Sequence, residues 1–373
     1  MLRIGFEAKR AFLNHTGLGN YSRQVIHALA DNFPEHQYLA YTTKAPQNTR
    51  TAALFDLPSL RIVTPRFPFL KSAWRSKWVV PRLVKDKLDI YHGLSHEIPS
   101  GIERTNIRTV VTIHDLIFLR YPEYYKTIDR SIYRAKFSFA CKHATHIVAV
   151  SEQTKRDIVH FFGTQEQKIS VIYQACDAAF EASGTARDSE ILEQYQLQQP
   201  YILSVGTIEA RKNLMLLMKA LPFIDAAVKV VIVGKATDYA ARLQEFIREN
   251  NVEHRVRFIG NVPFSDLPAL YRKAALFVYV SRFEGFGIPL LEALHAEVPV
   301  IAATGSCLEE SGGPHSRYVA PDDVQGLAQA ANQILHDPQL AQQMREQGKR
   351  YAAAFSASNH ARQLMDLYQQ MLR

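Results

Sequence analysis

The apolar positions in the first half of the chain fall into short continuous runs separated by polar, helix-length segments. Strands buried on both faces show unbroken apolar runs, so these stretches predict buried parallel strands. They cover residues 2–6, 37–41, 60–63, 90–92, 109–113, 146–149 and 169–172. Strands that alternate with helices predict an α/β fold, in which helices cover both faces of a mostly parallel sheet.

The second half repeats this order after an interruption. Around residues 173–200 the apolar pattern lapses, which indicates a domain boundary. Apolar runs at 201–205, 229–233, 256–259, 275–280 and 300–303 then predict a second series of strands. We therefore expect two Rossmann-like domains, residues 1–178 and 179–356, whose parallel sheets face an interdomain cleft.

Composition and charge narrow the class of protein. A content of 47% hydrophobic and 21% charged residues is typical of a globular chain and argues against wholesale disorder. No apolar run approaches the roughly 20 residues of a membrane span, and the chain opens on a strand, so we expect a cytoplasmic protein. The three scattered cysteines predict reduced core thiols, and the net charge of +8 favours an anionic partner.

Residues 281–294, Ser-Arg-Phe-Glu-Gly-Phe-Gly-Ile-Pro-Leu-Leu-Glu-Ala-Leu, follow a predicted strand and lead into a helix. Glycines let the backbone approach a ligand, and Pro289 suits a first helical turn. We expect the free amides of residues 286–290 to form an anion site at the positive end of this helix. The residues predicted to contact the ligand here are Phe286, Gly287 and Ile288.

Two glutamates flank this anion site. Glu284 lies in the loop and Glu292 about one turn into the helix, so their carboxylates are expected about 6 Å apart along the helix axis. Carboxylates accept hydrogen bonds from sugar hydroxyls while amides bind phosphate, and a nucleotide sugar has this layout. The alternative is an ordinary strand–helix turn with one solvated glutamate and one that interacts with the helix dipole.

A basic pair follows the first strand of the second half. Arg211 and Lys212 lie in the loop Gly-Thr-Ile-Glu-Ala-Arg-Lys-Asn, residues 206–213, which leads into a helix. A guanidinium and an ammonium at a strand–helix junction can neutralise a diphosphate. The alternative is a solvated pair of cations.

The first half offers two further candidates at strand ends. Residues 14–21 form a glycine-containing loop ahead of a helix near residues 21–30, and Gly17 and Gly19 would let a phosphate or sugar approach the backbone. His114 and Asp115 end another strand, where the histidine can donate to a sugar hydroxyl and the aspartate can orient it. The alternative is a hydrogen-bonded pair that holds the loop.

Residues 66–88 form a basic segment that contains both tryptophans, Trp74 and Trp78. A basic amphipathic segment with aromatic residues can lie on an anionic membrane surface. The alternative is a docking helix with its tryptophans in the core and its cations solvated. Peripheral contact with the inner face of the membrane is therefore one of two expectations for this segment.

Glu-Gly-Phe-Gly-Ile-Pro-Leu-Leu-Glu-Ala resembles the signature of the GT4 family of retaining glycosyltransferases, which have the GT-B fold. Residues 206–213 resemble the Gly-Thr-x-Glu-Pro-Arg-Lys-Asn motif of the same family, with Ala210 where proline is usual. The pair His114-Asp115 is similar to that of its mannosyltransferase-like members. The resemblance covers nearly the whole chain, and it is weakest at residues 48–88 and 164–200.

This resemblance implies roles for the candidate residues. Glu284 would contact hydroxyls of the donor sugar, Glu292 the ribose, and His114 the sugar and its developing charge. Arg211 and Lys212 would bind the diphosphate. Gly206 and Val262 would complete the donor site, with Val262 packing on the base. A terminal helix, residues 357–373, would cross back onto the first domain.

The chain has no Asp-x-Asp spacing and no His or Cys cluster with metal-ligand spacing. We therefore expect no metal and no other cofactor, and expect the helix amides with Arg211 and Lys212 to carry the charge of the leaving diphosphate. The predicted function is retaining hexosyl transfer, with GDP-mannose as the first donor and a glycan or lipid-linked acceptor in surface polysaccharide synthesis. The alternatives are a UDP-glucose or UDP-N-acetylglucosamine donor, or a nucleotide-sugar epimerase. Nucleic-acid binding is not expected, because the cations are dispersed and no binding module is recognised.

Overall fold

The computed structural model of the protein describes residues 1–65, 73–197 and 200–373. The chain divides into two compact units. The first comprises Met1–Ala175 and Ala357–Arg373, and the second comprises Cys176–Ser356. From the sequence, this boundary was predicted after residue 178.

The described residues of the first unit form a seven-stranded sheet with the strand order β3-β2-β1-β4-β5-β6-β7. All of its pairings are parallel; Ile4 of β1, for example, lies opposite Tyr38 of β2 and Ile90 of β4. The strands are β1 (Arg3–Glu7), β2 (Gln37–Tyr41), β3 (Leu60–Val63), β4 (Ile90–Gly93), β5 (Arg108–Ile113), β6 (His146–Ala149) and β7 (Ile169–Val171).

Helices cover both faces of this sheet, and each face has its own apolar core. Ser151 is the N-cap of the helix that begins at Glu152, and its hydroxyl accepts from the amide of Thr154. The helices of this part are α1 (Lys9–Leu13), α2 (Gly17–Asn32), α3 (Ala52–Phe55), α4 (Val80–Lys85), α5 (Ile117–Arg120), α6 (Thr127–His143) and α7 (Glu152–Phe162), with 3₁₀ turns at Ile102–Arg104, Pro122–Tyr124 and Glu166–Lys168 and a π-helical turn at Trp74–Trp78.

The second unit repeats the arrangement with six strands in the order β10-β9-β8-β11-β12-β13. The strands are β8 (Tyr201–Val205), β9 (Lys229–Val233), β10 (Val256–Ile259), β11 (Leu276–Tyr279), β12 (Val300–Ala303) and β13 (Arg317–Val319). The helices are α8 (Arg187–Gln194), α9 (Leu214–Ala220), α10 (Tyr239–Glu249), α11 (Leu267–Arg272), α12 (Ile288–His295), α13 (Leu308–Gly312), α14 (Val324–His336) and α15 (Pro338–Ala352), with 3₁₀ turns at Ala178–Phe180, Ala210–Lys212, Leu221–Phe223, Glu253–Arg255 and Ala353–Phe355.

The last helix, α16 (Ala357–Gln370), belongs to the first unit and packs on α2. Leu364 and Tyr368 lie on its buried face, together with Ala361 and Met365, at the spacing of one helical stripe. The hydroxyl of Tyr368 also lies 2.6 Å from Nδ1 of His92 on β4. Apolar packing and a buried hydrogen bond therefore hold the chain terminus on the first sheet.

The predicted α/β fold class is confirmed in both units. In each sheet the strand order reverses at one place, between β1 and β4 in the first and between β8 and β11 in the second. Ligands of doubly wound sheets bind at the carboxyl ends of the strands, beside this switch point. Both switch points therefore mark where functional side chains are to be sought.

The basic segment predicted at residues 66–88 lies partly outside the described residues, since these omit 66–72. Further on, Trp74 packs against the apolar core, whereas Trp78 is 51% exposed. The two tryptophans thus have different environments, and neither sequence alternative describes both of them. Within the described ranges, no helix combines the length and apolar character needed to cross a bilayer. Cys141, Cys176 and Cys307 are buried and reduced, as predicted.

Candidate active site

The loops after β8 and β11 bring the predicted carboxylate and cations together. The strands are hydrogen-bonded neighbours, so the 3₁₀ turn Ala210–Lys212 after β8 faces the loop after β11. Lys212 Nζ donates to Glu284 Oε1 at 2.6 Å. Arg211 Nη1 lies 2.8 Å from the other carboxylate oxygen, Oε2. One glutamate thus binds both cations.

Further side chains hold this network in place. Ser281 Oγ donates to Glu284 Oε1 at 2.6 Å, and Tyr279 OH donates to the same oxygen at 3.1 Å. The Tyr279 hydroxyl in turn accepts a 2.5 Å hydrogen bond from Lys212 Nζ. An ammonium has three protons, so Lys212 retains one for a ligand after these two hydrogen bonds.

Arg211 is anchored separately. Its Nη1 donates to the carbonyl oxygen of Phe283 at 2.7 Å, and its Nη2 donates to Glu209 Oε1 at 2.6 Å. Its side chain is only 16% exposed. The guanidinium is thereby fixed in orientation before any ligand arrives, which is the arrangement needed for preorganised charge stabilisation.

Burial and charge oppose each other in this network. Burial alone would raise the pKa of Glu284, but Lys212 and Arg211 outweigh it and lower that pKa to about 2. At Lys212 burial is the larger effect and lowers the pKa of the ammonium, against the attraction of Glu284. The carboxylate is therefore ionised at neutral pH. Because Lys212 donates to two oxygens, we assign it the protonated form.

Helix α12 starts directly behind this network. Gly287 occupies its N-cap with φ at 115°, a conformation that strains any other residue, and an added Cβ would lie 2.6 Å from Ser311 Oγ. The predicted set of free amides, residues 286–290, is too long. The amide of Leu290 is not free, because it donates to the carbonyl oxygen of Gly287 at 2.9 Å. The side chain of Phe286 is buried beside Phe355, so that residue can offer a ligand only its backbone.

Glu292 lies farther along α12 and has a different environment. Its Oε2 accepts a 2.7 Å hydrogen bond from Tyr271 OH of α11. Burial, and to a smaller degree Asp177, raises the pKa of Glu292 to about 7 although the bond from Tyr271 opposes the shift. The two glutamates of the motif therefore differ in charge near neutral pH.

The remaining predicted donor residues of the second unit lie at strand ends. Gly206 follows β8, and a Cβ there would lie 3.6 Å from Lys212 Cε, so it borders the cation network. Ile288 is the first residue of α12 and is partly exposed. Val262 follows β10, the outer strand two positions from β8, and is also partly exposed. None of these observations assigns a ligand contact.

His114 follows β5 in the first unit, and both of its ring nitrogens are engaged. Nε2 lies 2.9 Å from the carbonyl oxygen of Leu94, so this nitrogen carries the proton and donates it. Nδ1 therefore accepts from the amide Nε2 of Gln174 at 3.0 Å. Burial lowers the pKa of His114 to about 4. In this arrangement the neutral ring has no proton left for a sugar hydroxyl. Asp115 accepts from the amide of Ile117 and so holds the loop.

The predicted glycine loop at residues 14–21 is wrong in part, because α2 already begins at Gly17. Asn14 Oδ1 accepts from the amides of Thr16 and Gly19 and so satisfies donors at the helix start. A Cβ on Gly19 would lie 2.0 Å from the carbonyl oxygen of Asn14, whereas one on Gly17 would meet nothing within 4 Å. Internal packing therefore explains Gly19 without a ligand.

Several residues of these networks were missed from the sequence. Ser281 stands three positions before Glu284 within the motif, so its spacing was the available signal. Tyr279 ends β11 and was interpreted only as part of a buried strand. Tyr271 and Gln174 lie far along the chain from the residues they bind, and no sequence pattern connects them.

The donor atoms of the described segments do not suggest a metal centre. No three His, Cys, Asp or Glu side chains within those segments are grouped so that they could hold an ion. The charged side chains that lie together are those of Arg211, Lys212 and Glu284. This set suits an anionic ligand that also carries hydroxyl groups.

The two parallel doubly wound units, the second with two fixed cations and a carboxylate at its switch point, have the architecture expected of the GT-B fold. The family model described as "Glycosyltransferase Family 4" matches residues 15–180, and "Glycosyl transferases group 1" matches residues 187–351. The two models together cover most of both units, so the chain is a glycosyltransferase of the GT4 type with the GT-B fold.

Three known proteins illustrate the similarity. O-antigen chain mannosyltransferase B of Escherichia coli is 29% identical over 372 residues, covering 95% of this chain and 96% of the relative. O-antigen chain mannosyltransferase RfbU of Salmonella typhimurium is 29% identical over 241 residues, or 65% of each chain. The crystal structure of Anabaena Alr3699/HepE with UDP and glucose aligns with a TM-score of 0.78 at 19% identity, over 99% of this chain and 100% of that one.

Proposed function

We propose that this glycosyltransferase moves a hexose with retention from a nucleotide-diphosphate sugar to a glycan or lipid-linked acceptor in surface polysaccharide synthesis. GDP-mannose is the first proposed donor, because the two relatives named above are O-antigen mannosyltransferases. UDP-glucose is the main alternative donor, because the similar Anabaena protein was crystallised with UDP and glucose. A cytoplasmic location, with peripheral attachment to the inner membrane face, is part of the same proposal.

One observation carries the proposal: Arg211 and Lys212, in the loop after β8, are fixed around Glu284, in the loop after β11. In the proposed complex the remaining proton of Lys212 and the unused donors of Arg211 bind the diphosphate. Glu284 then accepts from hydroxyls of the donor sugar. Its depressed pKa supports this role, because only an ionised carboxylate is a pure acceptor.

The proposed reaction breaks the bond between the anomeric carbon and the phosphate oxygen and forms one to the acceptor oxygen on the same face. The acceptor proton passes to the departing phosphate oxygen, so no protein base is required. Two fixed cations and the first amides of α12 stabilise the charge that develops on the diphosphate. We propose that they do so without a metal ion.

Glu292 and His114 receive narrower roles. Glu292 is proposed to accept from ribose hydroxyls; its pKa of about 7 then makes nucleotide binding tighter as the carboxyl ionises above neutral pH. The ring nitrogens of His114 are already bonded to Leu94 and Gln174. We therefore propose that His114 keeps a neutral, fixed ring at the carboxyl end of β5 and does not transfer a proton.

The test is to incubate the protein with GDP-mannose, UDP-glucose and UDP-N-acetylglucosamine and to measure both donor hydrolysis and thermal stabilisation. We expect one donor to stabilise the protein and to release its nucleoside diphosphate slowly without acceptor. Conversion of a donor into an epimeric nucleotide sugar would assign the alternative epimerase activity. No response to any nucleotide sugar would contradict the proposal.

A further inference from the structure

The hydrogen bonds that Glu284 accepts are divided unequally between its two carboxylate oxygens. Oε1 lies within hydrogen-bond distance of three donors, which are Lys212 Nζ at 2.6 Å, Ser281 Oγ at 2.6 Å and Tyr279 OH at 3.1 Å. Oε2 lies 2.8 Å from Arg211 Nη1, its one donor among the described residues. Each oxygen of a carboxylate has about two lone pairs. Oε1 is therefore fully occupied, whereas Oε2 keeps a lone pair for a ligand.

Ser281 donates to the carboxylate of Glu284. The serine is fully buried, and its hydroxyl has a single proton to donate. The possible acceptors are Glu284 Oε1 at 2.6 Å and the carbonyl oxygens of Arg211 and Phe283 at 3.2 and 3.4 Å. The shortest of these distances leads to the charged oxygen, which forms the stronger hydrogen bond. Ser281 thus orients the carboxylate.

Tyr279 lies mainly against the ammonium of Lys212. Its hydroxyl accepts from Lys212 Nζ at 2.5 Å, whereas its own donation to Glu284 is longer, at 3.1 Å. Lys212 Nζ also lies 4.9 Å from the centre of the Tyr279 ring, within the range of a cation–π interaction. The ring is 4% exposed and stacks on Phe277, with the ring centres 6.0 Å apart. Tyr279 therefore holds the ammonium through both its hydroxyl and its ring.

The two hydroxyl groups support different parts of the network. Without the hydroxyl of Tyr279, Oε1 of Glu284 still has Lys212 and Ser281, one donor for each lone pair, so the carboxylate keeps its direction. Without the hydroxyl of Ser281, the ammonium of Lys212 keeps both of its acceptors. Oε1 then has the long hydrogen bond from Tyr279 in place of a short one, so the carboxylate is free to turn.

We propose that Ser281 and Tyr279 are positioning residues for the transfer reaction, each for a different part of the donor. Ser281 fixes Glu284 so that Oε2 accepts from a hydroxyl of the donor sugar, and Tyr279 fixes the ammonium of Lys212 against the diphosphate. This inference rests on the proposed function and adds which oxygen of Glu284 receives the sugar. The competing explanation is that both hydroxyls only satisfy polar groups in the interior of the second unit.

A nucleoside diphosphate lacks the sugar, so it separates the two roles. Full-length protein is titrated calorimetrically with GDP and GDP-mannose, and with UDP and UDP-glucose. Ser281→Ala should weaken binding of the nucleotide sugar about tenfold and leave that of the nucleoside diphosphate unchanged, because one charge-assisted hydrogen bond is lost beside the sugar. Tyr279→Phe should weaken binding of both ligands about tenfold, because both carry the diphosphate.

Kinetics give a second readout for the pair that binds. Tyr279→Phe should lower kcat, because charge develops on the diphosphate in the transition state. Ser281→Ala should raise KM by a larger factor than it lowers kcat. A substitution that only loosened the fold would not divide its effects between sugar and diphosphate in this way.

Two matched variants remove a buried hydroxyl elsewhere in the second unit. Tyr201→Phe removes a hydroxyl that donates to a carbonyl oxygen at 2.6 Å, and Ser316→Ala removes one that donates to a carbonyl oxygen at 2.7 Å. Both should bind the two ligands as wild type does, and urea unfolding measures the stability of all four variants. If Ser281→Ala does not fold, Ser281→Cys replaces it, since a thiol is close in size and a weaker donor.

Three results would overturn the inference. The first is a test variant that binds as wild type does, with Ser281→Ala judged on the nucleotide sugar and Tyr279→Phe on the nucleoside diphosphate. The second is a Ser281→Ala variant that binds both ligands equally weakly, and the third is control variants that lose as much affinity as the test variants. In each case wild-type protein still binds its donor, so the proposed function stands. Wild-type protein that binds neither pair of ligands would contradict the proposed function itself, and this inference with it.

Discussion

Replacing Lys212 with methionine is the sharpest test of the cation network. Methionine keeps most of the apolar stem beside Gly206 but removes the ammonium that lies 2.6 Å from Glu284 and 2.5 Å from Tyr279 OH. If Lys212 stabilises charge on the leaving diphosphate, its loss should lower kcat by about 10²–10³, as does the loss of one preorganised donor elsewhere.

The stability of this variant can be bounded from the same geometry. At 2.6 Å and an effective dielectric constant near 20, the pair attracts by about 6 kcal/mol before desolvation is subtracted. Breaking a buried pair costs about 3–5 kcal/mol when the remaining charge has no partner. Glu284 keeps Arg211 at 2.8 Å, so we expect a loss of only about 1–3 kcal/mol.

The assay measures donor hydrolysis or transfer at saturating and limiting donor, together with urea unfolding of each variant. Lys219→Met is the matched control, because it removes an exposed cation from the same unit. We expect the control to keep wild-type rates and Lys212→Met to remain folded but slow. A folded Lys212→Met with unchanged kcat would refute the proposed role, and so would equal losses in the control.

Four further outcomes are expected. Arg211→Ala should abolish turnover in a protein that still folds, and donor hydrolysis rates check this. EDTA should leave activity unchanged, whereas a loss restored by manganese would contradict the metal-free proposal. Burial raises the pKa of Glu292 from 4.5 to about 7, so the stability that its protonated carboxyl contributes is full below about 4.5 and is lost as pH rises through 7. At pH 8 the free energy of unfolding of Glu292→Gln should therefore exceed that of wild type by up to about 3 kcal/mol, and at pH 4 the two should match. Gly19→Ala should cost about 1–3 kcal/mol in urea unfolding because its Cβ meets Asn14 O, while Gly17→Ala should be neutral or slightly stabilising.

The strands could be predicted closely because parallel strands buried on both faces leave continuous apolar runs. The observed bounds of β8, β9 and β12 are those predicted. The start of α2 was missed because glycine usually marks a loop. Here Asn14 Oδ1 satisfies amides at the helix start, so Gly17 can be helical.

The meeting of Arg211, Lys212 and Glu284 could be predicted in outline, since their loops follow strands that become neighbours at the switch point. Their ion pairing could not be predicted, because the sequence does not say whether a cation binds a carboxylate or a ligand. The hydrogen bonds of His114 could not be predicted either, since one of them comes from Gln174, sixty residues along the chain. Long-range hydrogen bonds of this kind leave no local pattern.

A crystal structure of the protein with the nucleoside diphosphate of its best donor tests the central claim most directly. We predict phosphate oxygens within hydrogen-bond distance of Lys212 Nζ and Arg211, close to the amides of Gly287 and Ile288 at the start of α12. A diphosphate bound elsewhere, with both cations still bonded only to Glu284 and their present partners, would contradict the account.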